Sequence, residues 1–342
     1  MAGLNRVIEK KGESMQKPFD VAVVIPTVLR PSLKRALLSI YRQNFSGRIQ
    51  ILIGIDFRQG DGSFLGQLIN DRPSNIRVTV LDLGYSTSAR YGGVYPNHFS
   101  GALRTILSYA ANSKYVAYLD DDDWWGRDHL SSLLSTITGK GWAFSYRWIV
   151  DQETSWPVCK DEWDSLGPGR GINKERFGGF VSPSNLMLAK DTCHFVLPYW
   201  SLSPFPDGTG EDRLVFDALL KNHPWAASGK YTCYYDMPTD VQAHTHHAKE
   251  FEARNIRWIK DRTQIDAIRN LVEESRIAIE KDDFEKAIAA SGRAISLNPC
   301  HAPSLYYLAL AERKAGKLKQ ASTHESLLLE LRDGYLAENF LD

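Results

Sequence analysis

A mostly parallel α/β sheet followed by a small all-helical segment is the fold class this 342-residue chain predicts, and three observations predict it. Short apolar runs without polar alternation, such as FDVAVVIP and IQILIGI, read as strands buried on both faces. Between them lie stretches with apolar residues at helical spacing, and strands alternating with helices point to a parallel, Rossmann-like sheet. From about Ile268 the composition turns to helix formers that repeat every 34 residues: Leu271, Phe284, Ala287 and Ala294 recur as Leu305, Leu318, Ala321 and Leu328. That period of paired helices is the tetratricopeptide signature. The expected layout is a charged lead-in over 1–18, a sheet domain over 19–255 and a helical region over 256–342.

The first strand, Phe19 to Pro26, is followed by Leu33, Leu37, Leu38, Ile40 and Tyr41 at helical spacing. Ile49 to Ile55 is the second strand and ends in Asp56; Ile76 to Leu83 is the third. GYSTSARYGGVYP, at Gly84 to Pro96, is loop by composition, and Phe99 to Ala111 resumes helical character. Tyr115 to Leu119 is a central strand that ends abruptly in four aspartates, Asp120 to Asp123. If the chain stays extended there, Asp120 and Asp122 project to one side and Asp121 and Asp123 to the other. Ligands of such sheets sit at the carboxyl ends of strands. Like charges packed there need a raised pKa or a bound cation, and all-oxygen donors suit Mg2+ or Mn2+.

Trp142 to Val150 is a further strand, and the irregular stretch to Gly179, with Trp156, Trp163 and a Gly167 to Gly171 run, has the length and composition of a lid over an acceptor or, equally, of an exposed loop packed on itself. Glu211 and Asp212 stand directly before a helical stripe of Leu214, Val215, Ala218 and Leu219, where a helix dipole favours acids. In the helical region Gly316 fits the turn between paired helices, Asp282 takes that place in the first unit, and Pro299 closes that unit. Two such units need the sheet domain as a cap.

Composition excludes several classes. Lys plus Arg equals Asp plus Glu at 41 each, so no global field recruits nucleic acid or an anionic membrane. No run approaches a membrane span, and the charged N-terminus lacks the apolar core of a signal peptide, so a cytoplasmic protein is expected. Cys159, Cys193, Cys233 and Cys300 are far apart, which argues against a zinc site or disulfide framework. No glycine fingerprint follows the first strand, and GDGSFLG at Gly60 to Gly66 matches neither a dinucleotide-binding nor a calcium loop.

With VAVVIPT, the loop arginine Arg30, ILIGID, LDDDD and GED in this order, residues 19 to 250 resemble the family-two glycosyltransferases of GT-A fold. The resemblance implies inverting transfer of one sugar from a nucleotide diphosphate sugar, usually a UDP sugar, with a divalent cation, Mn2+ or Mg2+. It implies that Pro26 and Thr27 end the first strand beside the uridine and that Asp56 reaches the uracil or ribose. Asp120, Asp121 and Asp122 form the D-x-D metal and diphosphate site, with Asp120 and Asp122 on the metal, and Asp212 takes the place of the general base. A histidine near the end of such domains completes the cation's shell, which points in HTHH to His244, with His246 on the same side of an extended segment. Arg30 is the candidate phosphate contact by charge and position. RNIRW, at Arg254 to Trp258, is similar to the Q-x-x-R-W of processive synthases but begins with arginine, and the membrane helices of those synthases are missing. Single-sugar transfer to a saccharide, lipid-linked or protein acceptor is therefore expected, with the repeats as a brace or as a docking surface for a protein partner. A metal-dependent nucleotidyltransferase and an inactive nucleotide-sugar-binding assembly protein are the alternatives.

Overall fold

The computed structural model describes residues 17–237, 245–256 and 263–331. In chain order the elements are β1 (Phe19–Thr27), α1 (Leu33–Tyr41), β2 (Ile49–Ile55), α2 (Phe64–Asn70), β3 (Ile76–Asp82), α3 (Gly101–Ala110), β4 (Ser113–Tyr118), β5 (Trp124–Trp125), α4 (His129–Thr136) and β6 (Trp142–Asp151). Then come β7 (Pro157–Lys160), β8 (Gly167–Pro168), α5 (Lys174–Phe177), β9 (Gly179–Phe180), β10 (Leu186–Ala189), α6 (Lys190–Cys193), α7 (Glu211–Asn222), β11 (Trp225–Met237) and α8 (Thr245–Ala253). Four helices close the described chain: α9 (Thr263–Glu280), α10 (Phe284–Leu297), α11 (Ala302–Lys314) and α12 (Leu318–Leu331).

The main sheet runs β3-β2-β1-β4-β10-β6-β11-β5, with β7 paired to β6. β3, β2, β1 and β4 are parallel, and so are β6 and β11; β10 enters between β4 and β6 antiparallel to both. The apolar runs behave as their composition dictates. Val21 to Ile25 and Val116 to Leu119 are wholly buried because helices cover both faces: α1, α2 and α4 on one, α3 and α7 on the other. β10 has only four residues and no pattern of its own, so it escapes a reading by periodicity.

One expectation is corrected. The stretch from Trp156 to Gly179 is not a lid: it holds β7, β8 and α5, and both Trp156 and Trp163 are buried. Their indoles meet His301, at 4.2 Å between centroids, and Phe251, at 5.5 Å. The last four helices pack against the sheet domain. Ile265, Ile268, Leu305 and Leu328 join Trp148, Trp156, Trp163 and Phe251 in one core, Asn298 Nδ2 donates to the Pro157 carbonyl at 3.3 Å, and Lys160 pairs with Glu330 at 2.6 Å. The last four helices form two successive antiparallel pairs, and α10 and α12 begin 34 residues apart (318 minus 284). Both pair turns have a left-handed residue, Asp282 at φ 58° and Gly316 at φ 78°. Of the repeating positions, Ala287, Ala294, Leu305, Ala321 and Leu328 are buried, whereas Leu318 is exposed. No helix among the described residues is long and apolar enough to cross a membrane, and all four cysteines are free thiols.

Candidate active site

A cleft of about 630 Å3 opens at the carboxyl ends of β1 and β4. Pro26, Thr27 and Arg30 form one wall, Asp120 to Asp122 the next, and Gly210 to Arg213 the wall opposite.

The first wall follows from how β1 ends. Leu29 is forced to φ 64°, a left-handed conformation costly for leucine, and is held there by burial and by the hydrogen bond from its own N–H to Thr27 Oγ1 at 2.8 Å. The bend aims Arg30 back over the cleft. The backbone of the Gly60 turn seats against Leu29: a Cβ on Gly60 would lie 1.8 Å from the Leu29 carbonyl oxygen, so only glycine fits there.

The four aspartates do not stay extended, and the expected alternation fails. After Leu119 the chain turns, with Asp123 N–H donating to the Asp120 carbonyl at 3.2 Å, and each carboxylate goes its own way. Asp120 pairs with the buried Arg104. Asp121 accepts from Thr27 Oγ1 at 2.6 Å, Val28 N–H at 3.3 Å and Arg30 at 3.0 Å. Asp122 accepts from Arg30 at 2.6 Å, and Asp123, fully buried, accepts from Asp236 N–H at 3.0 Å. It is thus Asp121 and Asp122 that converge on one point, the Arg30 guanidinium. Burial, then the neighbouring Asp121 and Asp120, push the Asp122 carboxyl up to about 7. Asp121 is also raised by burial, with Arg30 and Thr27 opposing.

On the opposite wall Gly210, at φ 87°, starts α7 where any Cβ would strike the Phe205 ring, and this sets Glu211 and Asp212 in the first helical turn. Glu211 is buried, 3.4 Å from Arg104; burial and then Asp212 raise it to about 8. Asp212 faces the cleft and accepts from Arg213 N–H at 2.8 Å, and burial raises its pKa against the pull of Arg213 and Arg104. The floor is Arg147, buried between Asp161 at 2.7 Å and Asp164 at 2.8 Å and stacked over Tyr235.

The remaining sequence candidates fare differently. Asp56 does not line the cleft: it is buried and accepts from Ser86 Oγ, Thr87 N–H and Ser100 Oγ, so its carboxylate ties down the 84–100 loop behind the wall. His244 lies outside the described residues, as does the side chain of His246. His247 is described, lines the cleft, and accepts from Trp163 Nε1 at 2.9 Å. Arg254 pairs with Glu250 at 3.2 Å, while Arg257 and Trp258 lie outside the described residues.

Asp120 and Asp122 are the carboxylates of the turn most open to a divalent cation. The side chains of Asp120 and Asp122 are 27% and 31% exposed on the cleft and offer only oxygen donors. Among the described residues no three acidic, histidine or cysteine side chains gather closely enough to hold an ion, so phosphate and water oxygens would have to complete the shell, as Mg2+ and Mn2+ sites commonly allow.

Arg104 and Arg147 were missed by sequence reasoning, although a signal existed. Each is a single charge inside an apolar element, GALRTIL and WAFSYRWIV, and a charge there must be paired.

No protein-family model and no curated protein matches this sequence. Among solved structures it is similar to residues 1–349 of S. aureus TarS, at 15% identity and TM-score 0.46 over 93% of each chain. The same TarS fragment in complex with UDP-GlcNAc gives 14%, 0.47 and 92% of each chain. A mannosyltransferase from Pyrobaculum calidifontis in complex with GDP-Man and Mn2+ gives 14% and 0.45 over 94% of this chain and 86% of that one. These are likenesses at low identity, and the roles argued below rest on this chain's own geometry.

Proposed function

We propose that the chain is an inverting glycosyltransferase that moves one sugar from a nucleotide diphosphate sugar, a UDP sugar by its resemblance, to an acceptor hydroxyl. The observation that carries the reading is the pairing of walls. An acidic turn with an exposed arginine faces, across one cleft, a carboxylate that the turn does not use. Asp120 and Asp122 would hold Mn2+ or Mg2+, and His244 is the candidate for a further donor; the ion supplies neutralisation of the diphosphate charge.

The chain's own residues divide the remaining work. Arg30, half exposed at the cleft, contacts the diphosphate, exchanging a carboxylate for a phosphate oxygen of the same charge. Thr27 fixes Asp121 and so sets where that arginine can reach. Asp212 takes the proton from the acceptor hydroxyl as the oxygen attacks the anomeric carbon from the face opposite the departing nucleoside diphosphate. Burial makes it a better base than a solvated aspartate. The helices α9 to α12, tetratricopeptide-like by their period, brace the sheet domain and offer a surface to a protein partner.

The test is incubation with a panel of nucleotide sugars and Mn2+, read as nucleoside diphosphate release. Release of pyrophosphate from a nucleoside triphosphate, with no diphosphate from any sugar, would instead make the chain a nucleotidyltransferase.

A further inference from the structure

Arg104 stands out among the cleft residues because it belongs to neither wall and touches both. It rises from α3, is 6% exposed, and its ring neighbour Trp200 lies 5.4 Å from the guanidinium carbon. One terminal nitrogen pairs with Asp120 of the acidic turn; the other lies 3.4 Å from Glu211 and 3.3 Å from the Phe99 carbonyl. A planar fork holds two acceptors at once in a fixed geometry, and burial leaves this one little freedom to let go.

We propose that Arg104 is the positioning residue that couples the two halves of the site, holding the acidic turn and the first turn of α7 in one bridge of hydrogen bonds so that Asp212 is set against the acceptor hydroxyl that attacks the donor's reacting carbon. The inference rests on the glycosyltransferase reading and deepens it. Asp120 follows β4 while Glu211 begins α7; the shared core seats α7 on the sheet, and the bridge ties the two acidic side chains to each other. Arg104 also acts by charge. Asp212 faces Arg213 beside it, Asp164 from the segment after β7, Glu211 on its own turn and Arg104 from α3, and of these only the two arginines favour its ionised form.

Arg104→Lys and Arg104→Met separate geometry from charge. Lysine keeps the charge and reaches one carboxylate; methionine keeps the volume and loses both. Wild type and variants are compared by UDP release from UDP-glucose, UDP-galactose and their N-acetyl forms in Mn2+, with water as the acceptor, over pH 5 to 9. Calorimetry with UDP and Mn2+ runs alongside.

Arg104→Lys is expected to lower turnover at saturating donor by about tenfold or more, as a displaced catalytic group does, with UDP affinity within about threefold and the acidic limb of the pH profile unmoved. Arg104→Met is expected to move that limb up by about one pH unit as well, since an opposite charge near a carboxyl is withdrawn. A residue that only stabilised the fold would lower the melting temperature and leave both the limb and the turnover of folded enzyme in place. Arg104→Lys with turnover within about twofold of wild type overturns the coupling, and this variant decides the matter if the methionine variant does not fold. Wild-type chain that neither binds UDP with Mn2+ nor releases UDP from any of the four sugars overturns the UDP-sugar reading of the donor and the coupling with it.

Discussion

Ending the chain at Ile256, which removes α9 to α12, should unfold or strongly destabilise the sheet domain rather than leave a working enzyme. The magnitude follows from what the helices cover. Trp156 on the sheet side packs against His301 and belongs to the same core as Ile265, Ile268 and Leu305. A tryptophan buries about 200 Å2, so exposing half of it at about 25 cal/mol per Å2 costs about 2.5 kcal/mol. Val158 in the same core adds about 1 kcal/mol, and losing the Asn298 bond to Pro157 adds about 1 kcal/mol more. The total, about 4.5 kcal/mol, is of the order of a whole domain's stability, about 5–15 kcal/mol. At about 2–4 °C per kcal/mol for a domain of this size, melting should fall by about 9–18 °C. Thermal melts and limited proteolysis of the shortened chain beside the full one measure this. A shortened chain that melts within about 2 °C of the full one would show that the shared core contributes nothing and that the helices are an independent unit.

Three further outcomes are expected. Asp212→Asn should leave UDP and Mn2+ affinity nearly unchanged in calorimetry while turnover falls by about two to four orders of magnitude; near-normal turnover would place the base elsewhere, Glu211 first. Asp56→Ala strips the acceptor from Ser86, Ser100 and the Thr87 N–H, so urea unfolding should show a loss of about 1–3 kcal/mol and a protease should cut faster between 84 and 100; an unchanged cutting rate would refute the tether. Burial holds the His129 imidazole, stacked on Trp125, down to about 3. Its folded pKa thus lies below the unfolded value near 6.5, so between these the unfolded chain binds more protons and stability falls as pH falls, by up to about 1.4 kcal/mol per unit. His129→Phe keeps the stack and should flatten that slope below pH 6.5; identical slopes in wild type and variant would show that His129 already carries its proton in the folded protein.

How much of this was legible in the sequence depended on whether the deciding contact was local. Val21 to Ile25 and Ile49 to Ile55 announce themselves, since a strand covered on both faces must be apolar throughout. Glu211 and Asp212 were legible for the same reason, because their placement depends on the local start of the helix they open. The acidic turn was half legible. Its position at the end of β4 is a local matter, but alternation past Leu119 presumed a partner strand to keep the chain extended, and none pairs there until Trp124. Trp156 and Trp163 misled because a long irregular stretch looks alike whether its aromatics face solvent or a helix supplied much later in the chain.

What escaped altogether was the distribution of charge, and the reason is physical. Thr27 meets Asp121 across 94 positions, Arg104 meets Glu211 across 107, and Arg35 meets Asp236 across 201. A buried arginine states only that a carboxylate must be near; it does not say which. In this chain the constraint is sharper than in most. The acidic turn holds four carboxylates, while the partners nearest to it are Arg30, half exposed, Arg104, buried and shared with Glu211, and Arg35, which meets the Asp122 carbonyl rather than its carboxylate. The turn is therefore short of positive charge wherever Arg30 moves away from it, and moving away is what contact with a diphosphate requires of Arg30. A site of this design favours arrival of the donor together with a cation. UDP without divalent ion should bind more weakly than UDP with it, and the difference should shrink in Asp122→Asn, where one of the uncompensated charges is gone. Equal affinity with and without Mn2+ in the wild type would mean that Arg30 serves both carboxylates and phosphate at once, and that the acidic turn holds no ion.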